Sequence, residues 1–227
     1  MKKLLKKILF YIGGLFILAI GINISKTAQL GISPVSAIPY AFELIWGIDL
    51  GKSTTIVYIS LILLQILILR KDYNPVQLLQ ILCTYFTGIF ITYTGTDYLL
   101  SWLPIPTHYF MKLIYSFVSI IFIGTGVSLY LMPDFIPLPP EGLVNAIVKL
   151  SKGKLKFSNV KIAVDSSLVI ISAILSLVFL GGLKSVREGT ILAALLSGKI
   201  IGFISKNFKQ GFVDWMEEDL VEAEQVD

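Results

Sequence analysis

The feature that most constrains this chain is an apolar run of about 20 residues that recurs down its length. A helix of that size spans the hydrocarbon of a bilayer, which is about 30 Å thick at ~1.5 Å of rise per residue. Such runs occupy residues 8–25, 54–70, 76–94, 109–131, 159–180 and 188–206. In lipid every backbone amide must find its partner within the protein, which leaves only helices or closed barrels. The runs are continuous rather than alternating, so the expected fold is an all-α polytopic membrane bundle. Composition agrees: 15% of residues are charged, against roughly 25% in soluble domains.

Charge then narrows the partners. The formal net charge is +4, but the basic residues sit at segment ends. They read as flanks of membrane helices, so the expected partner is the bilayer and not nucleic acid. Cys83 is the single cysteine and His108, beside Pro106, the single histidine. No disulfide within the chain, metal site or cofactor is expected. There is no P-loop, Gly-rich dinucleotide turn or nucleophile elbow, and the chain is not expected to be an enzyme. Lys2, Lys3, Lys6 and Lys7 precede the first apolar run. That run is long for a signal peptide and has no clear small-residue cleavage site, so it reads as a first helix with a cytoplasmic N-terminus.

Two shorter apolar stretches, 34–46 and 139–150, are too short to cross. Pro34 opens the first, and Pro139 with Pro140 opens the second. Proline suits the first turn of a helix, where its missing N–H has no partner to lose. Both stretches read as short helices that start partway into the membrane. The chain then reads as a single transmembrane domain over 1–227 with an internal repeat. Repeat one covers 8–94, repeat two covers 109–206, and 207–227 forms an acidic cytoplasmic tail. At an offset of 105, Gly21 falls on Gly126, Pro34 on Pro139, Ala41 on Ala146 and Ser53 on Ser158. Gln80, Thr84, Gly88 and Thr92 fall on Thr190, Ala194, Gly198 and Gly202. Small residues at spacing four let helices approach closely in lipid, so Gly88, Ala194, Gly198 and Gly202 are expected to pack helices. If the short helices turn back, the halves are inverted; if they cross, the halves are parallel. The 95–108 loop has no Lys or Arg, which favours the inverted arrangement.

Ionisable groups at membrane depth are costly and point to function by default. Glu43, Asp134, Glu141 and Asp165 qualify. Asp165 follows Lys161 by four residues and so shares its helix face. That spacing allows a structural ion pair or a role in binding or proton coupling. The segment 134–142, with Pro133 before it, has four prolines and cannot be a regular helix; its counterpart in the first half is 26–36. Broken segments in matching places of two halves mark the central site of many transporters. The short helices would aim their positive N-terminal ends at that centre, where an anion or carboxylate could bind, or Glu141 itself could cap. Asn145, Lys161, Ser33 and Ser36 complete the candidate set. Trp46, Tyr93, Trp102, Tyr109 and Trp215 stand near segment ends, as an interfacial belt requires. Tyr40 and Tyr58 lie further inside.

The segments Ala28-Gln-Leu-Gly31-Ile-Ser-Pro34, Pro140-Glu-Gly-Leu143, Leu180-Gly-Gly182, Glu188-Gly189-Thr190, Ala194-Leu195, Gly198 and Gly202 resemble the YczE/YyaS/YitT group of bacterial membrane proteins. The likeness spans roughly residues 10–206. That family often has a tryptophan and an acid after the first-half proline, where Val35 and Ser36 stand here. The resemblance implies a multi-pass protein of the bacterial cytoplasmic membrane. Two functions remain open. One is a transporter or channel for a small solute, with a central site between the repeats. The other is a non-transporting protein that stabilises or regulates a partner. Neither the solute nor the oligomeric state is written in the sequence.

Overall fold

The computed structural model describes residues 2–224, and their side chains from residue 4 to residue 212 except at 209. Those residues form eight α-helices and no strand: α1 (Lys2–Ala28), α2 (Ala37–Trp46), α3 (Leu50–Leu69), α4 (Gln80–Tyr93), α5 (Tyr109–Leu131), α6 (Pro139–Leu150), α7 (Phe157–Leu180) and α8 (Glu188–Glu224). Six helical stretches are long and apolar enough to cross a bilayer, at 4–28, 50–72, 75–93, 109–131, 157–180 and 188–208. Single-turn 3₁₀ segments at Pro34–Ser36 and Pro75–Leu79 lead into α2 and α4. The acidic tail is a continuation of α8 in its backbone. Its acids from Asp214 on, and Trp215, lie outside the described side chains.

The bundle is organised around α1 and α5. Gly14 meets the backbone of Tyr130, and Gly21 meets Ile123. As the position on α1 advances, its partner on α5 recedes, so the two helices cross antiparallel. Gly126 in turn meets Leu18 and the carbonyl of Gly14. At an offset of 105, the Gly21–Ile123 contact becomes the Gly126–Leu18 contact. The same pair of positions thus packs twice, once from each side of the crossing.

Each short helix belongs to a dip that leaves one end of the bundle and returns to that same end. Leu30 receives a hydrogen bond from Gly189 N at 2.7 Å, where α1 ends and α8 begins. From there the chain dips, so that Pro34 lies beside Ile22, Tyr58 and Asp165. It then climbs through α2 until Trp46 stacks on Phe179 near the end of α7. The second half does the same from the opposite end. Past Leu131 the chain dips until the Pro139 carbonyl meets Gln65, and α6 returns until Lys149 Nζ donates to the Asp72 carbonyl at 2.7 Å. Each short helix packs across the halves: α2 lies on α7 and α6 on α3.

The third and fourth helices of each half differ. Gly51 and Gly88 face one another across α3 and α4, closer than any side chain would permit, and Thr92 Oγ1 donates to Asp49, the N-cap of α3. Gly88 therefore packs helices as its spacing implies. Gly198 and Gly202 do not: open space faces both, and Ala194 lines a cleft. The reason is that α8 leans on α5, where Ile200 fills the place beside Gly124, and stands away from α7.

These contrasts give a direct test. Overpacking a tight crossing costs typically 1–3 kcal/mol. Gly126→Ala is expected to destabilise by about that amount, while Gly198→Ala leaves stability unchanged or slightly raised, both measured by thermal unfolding in mild detergent.

Candidate functional site

The two Pro-started helices bring their first turns to one small internal cavity of about 80 Å³. Ser33, Pro34, Val35 and Ser36 enter it from the first dip, and Leu138 and Glu141 from the second. Helix α1 adds Leu18 and Ile22, α5 adds Ile123, Val127 and Tyr130, and α3 adds Tyr58. Lys161 and Asp165 come from α7, and Ser197 and Ile201 from α8. A larger cleft of about 710 Å³ runs between α3 and α7, but no ionisable side chain lines it. The chemistry is concentrated in the small cavity.

Its charged core is three residues. Lys161 Nζ lies 3.2 Å from Glu141 Oε1 and 3.0 Å from Asp165 Oδ1. The i, i+4 spacing predicts the second contact; the first joins α6 to α7 and needs the fold. Glu141 donates nothing when ionised, but it sits in the first turn of α6, where unpaired amides carry partial positive charge. Asp165 stands two turns inside α7, away from either helix end. Its Oδ1 is buried and has the Lys161 ammonium 3.0 Å away, without a hydrogen bond of regular geometry to it. Two carboxylates therefore share one lysine, and Asp165 is the less well matched.

Local structure positions these groups. The Pro139 carbonyl, at the start of α6, accepts from Gln65 Nε2 at 3.1 Å. Gln65 and Gln80 exchange hydrogen bonds at 3.1 and 3.2 Å, both fully buried. A Cβ on Gly142 would meet both amides, so only glycine lets α6 settle there. On the other dip, Ser33 Oγ donates to Ser36 Oγ at 3.2 Å and Ser172 Oγ on α7 donates to the Ala37 carbonyl at 2.7 Å. Tyr11 donates from its hydroxyl to the Ile136 carbonyl at 2.9 Å, tying the second dip to α1. Broken backbone at this depth is satisfied by named partners, as a water-poor environment demands.

Other residues expected at the site lie elsewhere. Glu43 pairs with Lys26 at 2.6 Å, is largely buried, and lines no part of the cavity. Asp134 and Asn145 are exposed. Asn145 shares α6 with Glu141 and, four residues on, the same face of it, but one turn further along it lies past the cavity and is exposed. Asp134 precedes the dip and reaches a surface instead. Tyr130, Ser197 and the Gln65–Gln80 pair were not singled out for the site from sequence. Gln65 and Gln80 each carried a signal, as uncharged polar residues within apolar runs.

The fold and this centre define a class: a multi-pass helical membrane protein in which two short helices meet over a lysine shared by two carboxylates. The chain belongs to a family of unknown function, DUF6198, which matches residues 5–206. It is similar to the uncharacterized protein YyaS of Bacillus subtilis (strain 168), at 27% identity over 215 residues, covering 88% of this chain and 98% of that protein. The resemblance read from the sequence agrees with this. No solved structure matches the chain.

Removing one partner of a buried ion pair costs roughly 3–5 kcal/mol, because a charge is left uncompensated. Lys161→Met alone is expected to lower the melting temperature strongly. The triple variant Lys161→Met, Glu141→Gln, Asp165→Asn is expected to recover most of that loss. If the triple variant melts no higher than the single one, electrostatic pairing is not what Lys161 supplies.

Proposed function

We propose that this protein is a small-solute transporter of the bacterial cytoplasmic membrane, built from two inverted repeats with its binding site at their junction. The observation that carries the reading is the cavity itself. Two Pro-started helices dip from opposite ends and present their first turns, with Lys161, Glu141 and Asp165, to one enclosed space. Half-helix ends and intramembrane charges converging at mid-depth are what a transporter needs to strip and hold a polar solute. The antiparallel crossing of α1 and α5, with its doubled glycine contact, supports inversion of the repeats. A cytoplasmic N-terminus accords with Lys6 and Lys7 and the lysines at 149–156 falling at the same end of the bundle.

One observation favours a second reading, a protein that holds a membrane partner. Helix α8 turns Gly198 and Gly202 to open space, with Lys199 exposed between them. A partner helix with small residues would fit that face. A stable complex recovered in mild detergent, together with no solute flux in liposomes, would favour this reading over transport.

Topology is tested by labelling single cysteines in a Cys83→Ser background. Inverted repeats place Lys52→Cys and Lys152→Cys on opposite sides of the membrane; parallel repeats place both on one side. Function is tested by thermal unfolding against water-soluble anions, amino acids, vitamins and metal ions. A ligand of the folded state at a hundredfold excess over its Kd adds about 2.7 kcal/mol. The expected result is a stabilising compound whose shift, and whose uptake into proteoliposomes, vanish in Asp165→Asn while unliganded melting is retained. Normal uptake by both Asp165→Asn and Glu141→Gln would overturn the site.

A further inference from the structure

The first half closes where the second half gapes. Helices α3 and α4 meet at Gly51 and Gly88 with no space between them. Helices α7 and α8 are separated by a cleft of about 460 Å³. Its walls are Ile162, Val169, Ile170, Ile191, Ala194 and Leu195. Ile162, Ile170, Ile191 and Leu195 are more than half exposed on the outer surface of the bundle, where lipid chains would lie. The floor is different in kind: Pro34, Asp165 and Thr190. Pro34 and Asp165 also line the central cavity. The cleft therefore reaches from the apolar surface to residues of the charged centre, and Asp165 is the first ionisable group along it.

Charge indicates what fits. Glu141 has both Lys161 and the first turn of α6. Asp165 has only its share of Lys161, and its buried Oδ1 accepts no hydrogen bond. Two carboxylates that share one ammonium at membrane depth leave one negative charge over, which is costly, and a second cation with a polar hydrogen relieves it. An ammonium group supplies both. An apolar tail on that ammonium would rest against the four exposed side chains of the cleft.

We propose that the α7–α8 cleft is a lateral entry through which membrane-dissolved amines reach the centre, with Asp165 taking the ammonium and the cleft walls holding the alkyl chain. This deepens the transporter reading and rests on it, since it names the substrate class of the same site. A water-filled route from either end would need no apolar wall beside Asp165; a lateral route does.

The test uses the full chain in phosphatidylcholine nanodiscs, with four probes matched in concentration: octylamine, octanol, octanoate and methylamine. Octylamine is expected to raise the melting temperature by several degrees, with no shift from the other three. Asp165→Asn is expected to lose the octylamine shift. Ala194→Trp, which fills the cleft from the α8 side, is expected to lose it too. Its unliganded melting confirms that the variant folds. A shift from octanoate in place of octylamine overturns the charge assignment. An equal shift from methylamine overturns the lateral route. An octylamine shift that persists in Ala194→Trp also overturns the route. No shift from any probe overturns the proposal. The transporter reading fails separately: it falls only if water-soluble solutes also give no Asp165-dependent shift or uptake.

Discussion

Everything in this fold depends on how an unpaired peptide group is kept from lipid. The chain dips back into the bundle twice, after Ala28 and after Leu131, and each dip carries amides and carbonyls that hydrocarbon cannot satisfy. Each is answered from another element. Gln65 takes the Pro139 carbonyl, Ser172 takes the Ala37 carbonyl, and Tyr11 takes the Ile136 carbonyl. The glycines of α1 and α5 matter for the same reason. Close approach of those two helices brings the dips to one centre rather than leaving them as separate defects.

The charged centre follows from that geometry. A lysine with two carboxylates would be improbable on a lipid-facing surface, where each ion would carry its full desolvation penalty. At the junction, the first turn of α6 and the burial of the dips stabilise the arrangement. The two carboxylates remain unequal, because only Glu141 lies at a helix end. That inequality gives the site a direction of attack, from the side of Asp165.

Much of this was legible in the residues. Apolar run length yields the six spans, and prolines at 34 and 139 mark where the short helices start. Spacing four joins Lys161 to Asp165. What the sequence could not carry was which face each residue turns inward. Asn145 and Glu141 share one face of one short helix, and only the docked helix shows that the cavity ends before Asn145. Gly88 and Gly198 occupy matching positions in matching stripes, yet one packs and one does not, because α8 leans on α5. The Gln65–Gln80 pair depends on the register of the α3–α4 hairpin, which no local pattern records.

The crossed packing of the short helices has a consequence for how the protein is made. Helix α2 is covered by α7, which belongs to the other half of the chain. During synthesis α2 emerges long before α7 does. At ~5–20 residues per second, the interval is on the order of ten seconds. Throughout it, the face that α2 later sets against α7 has no cover, and the Ala37 carbonyl lacks the hydroxyl of Ser172. The first half therefore spends that interval with its short helix only partly packed.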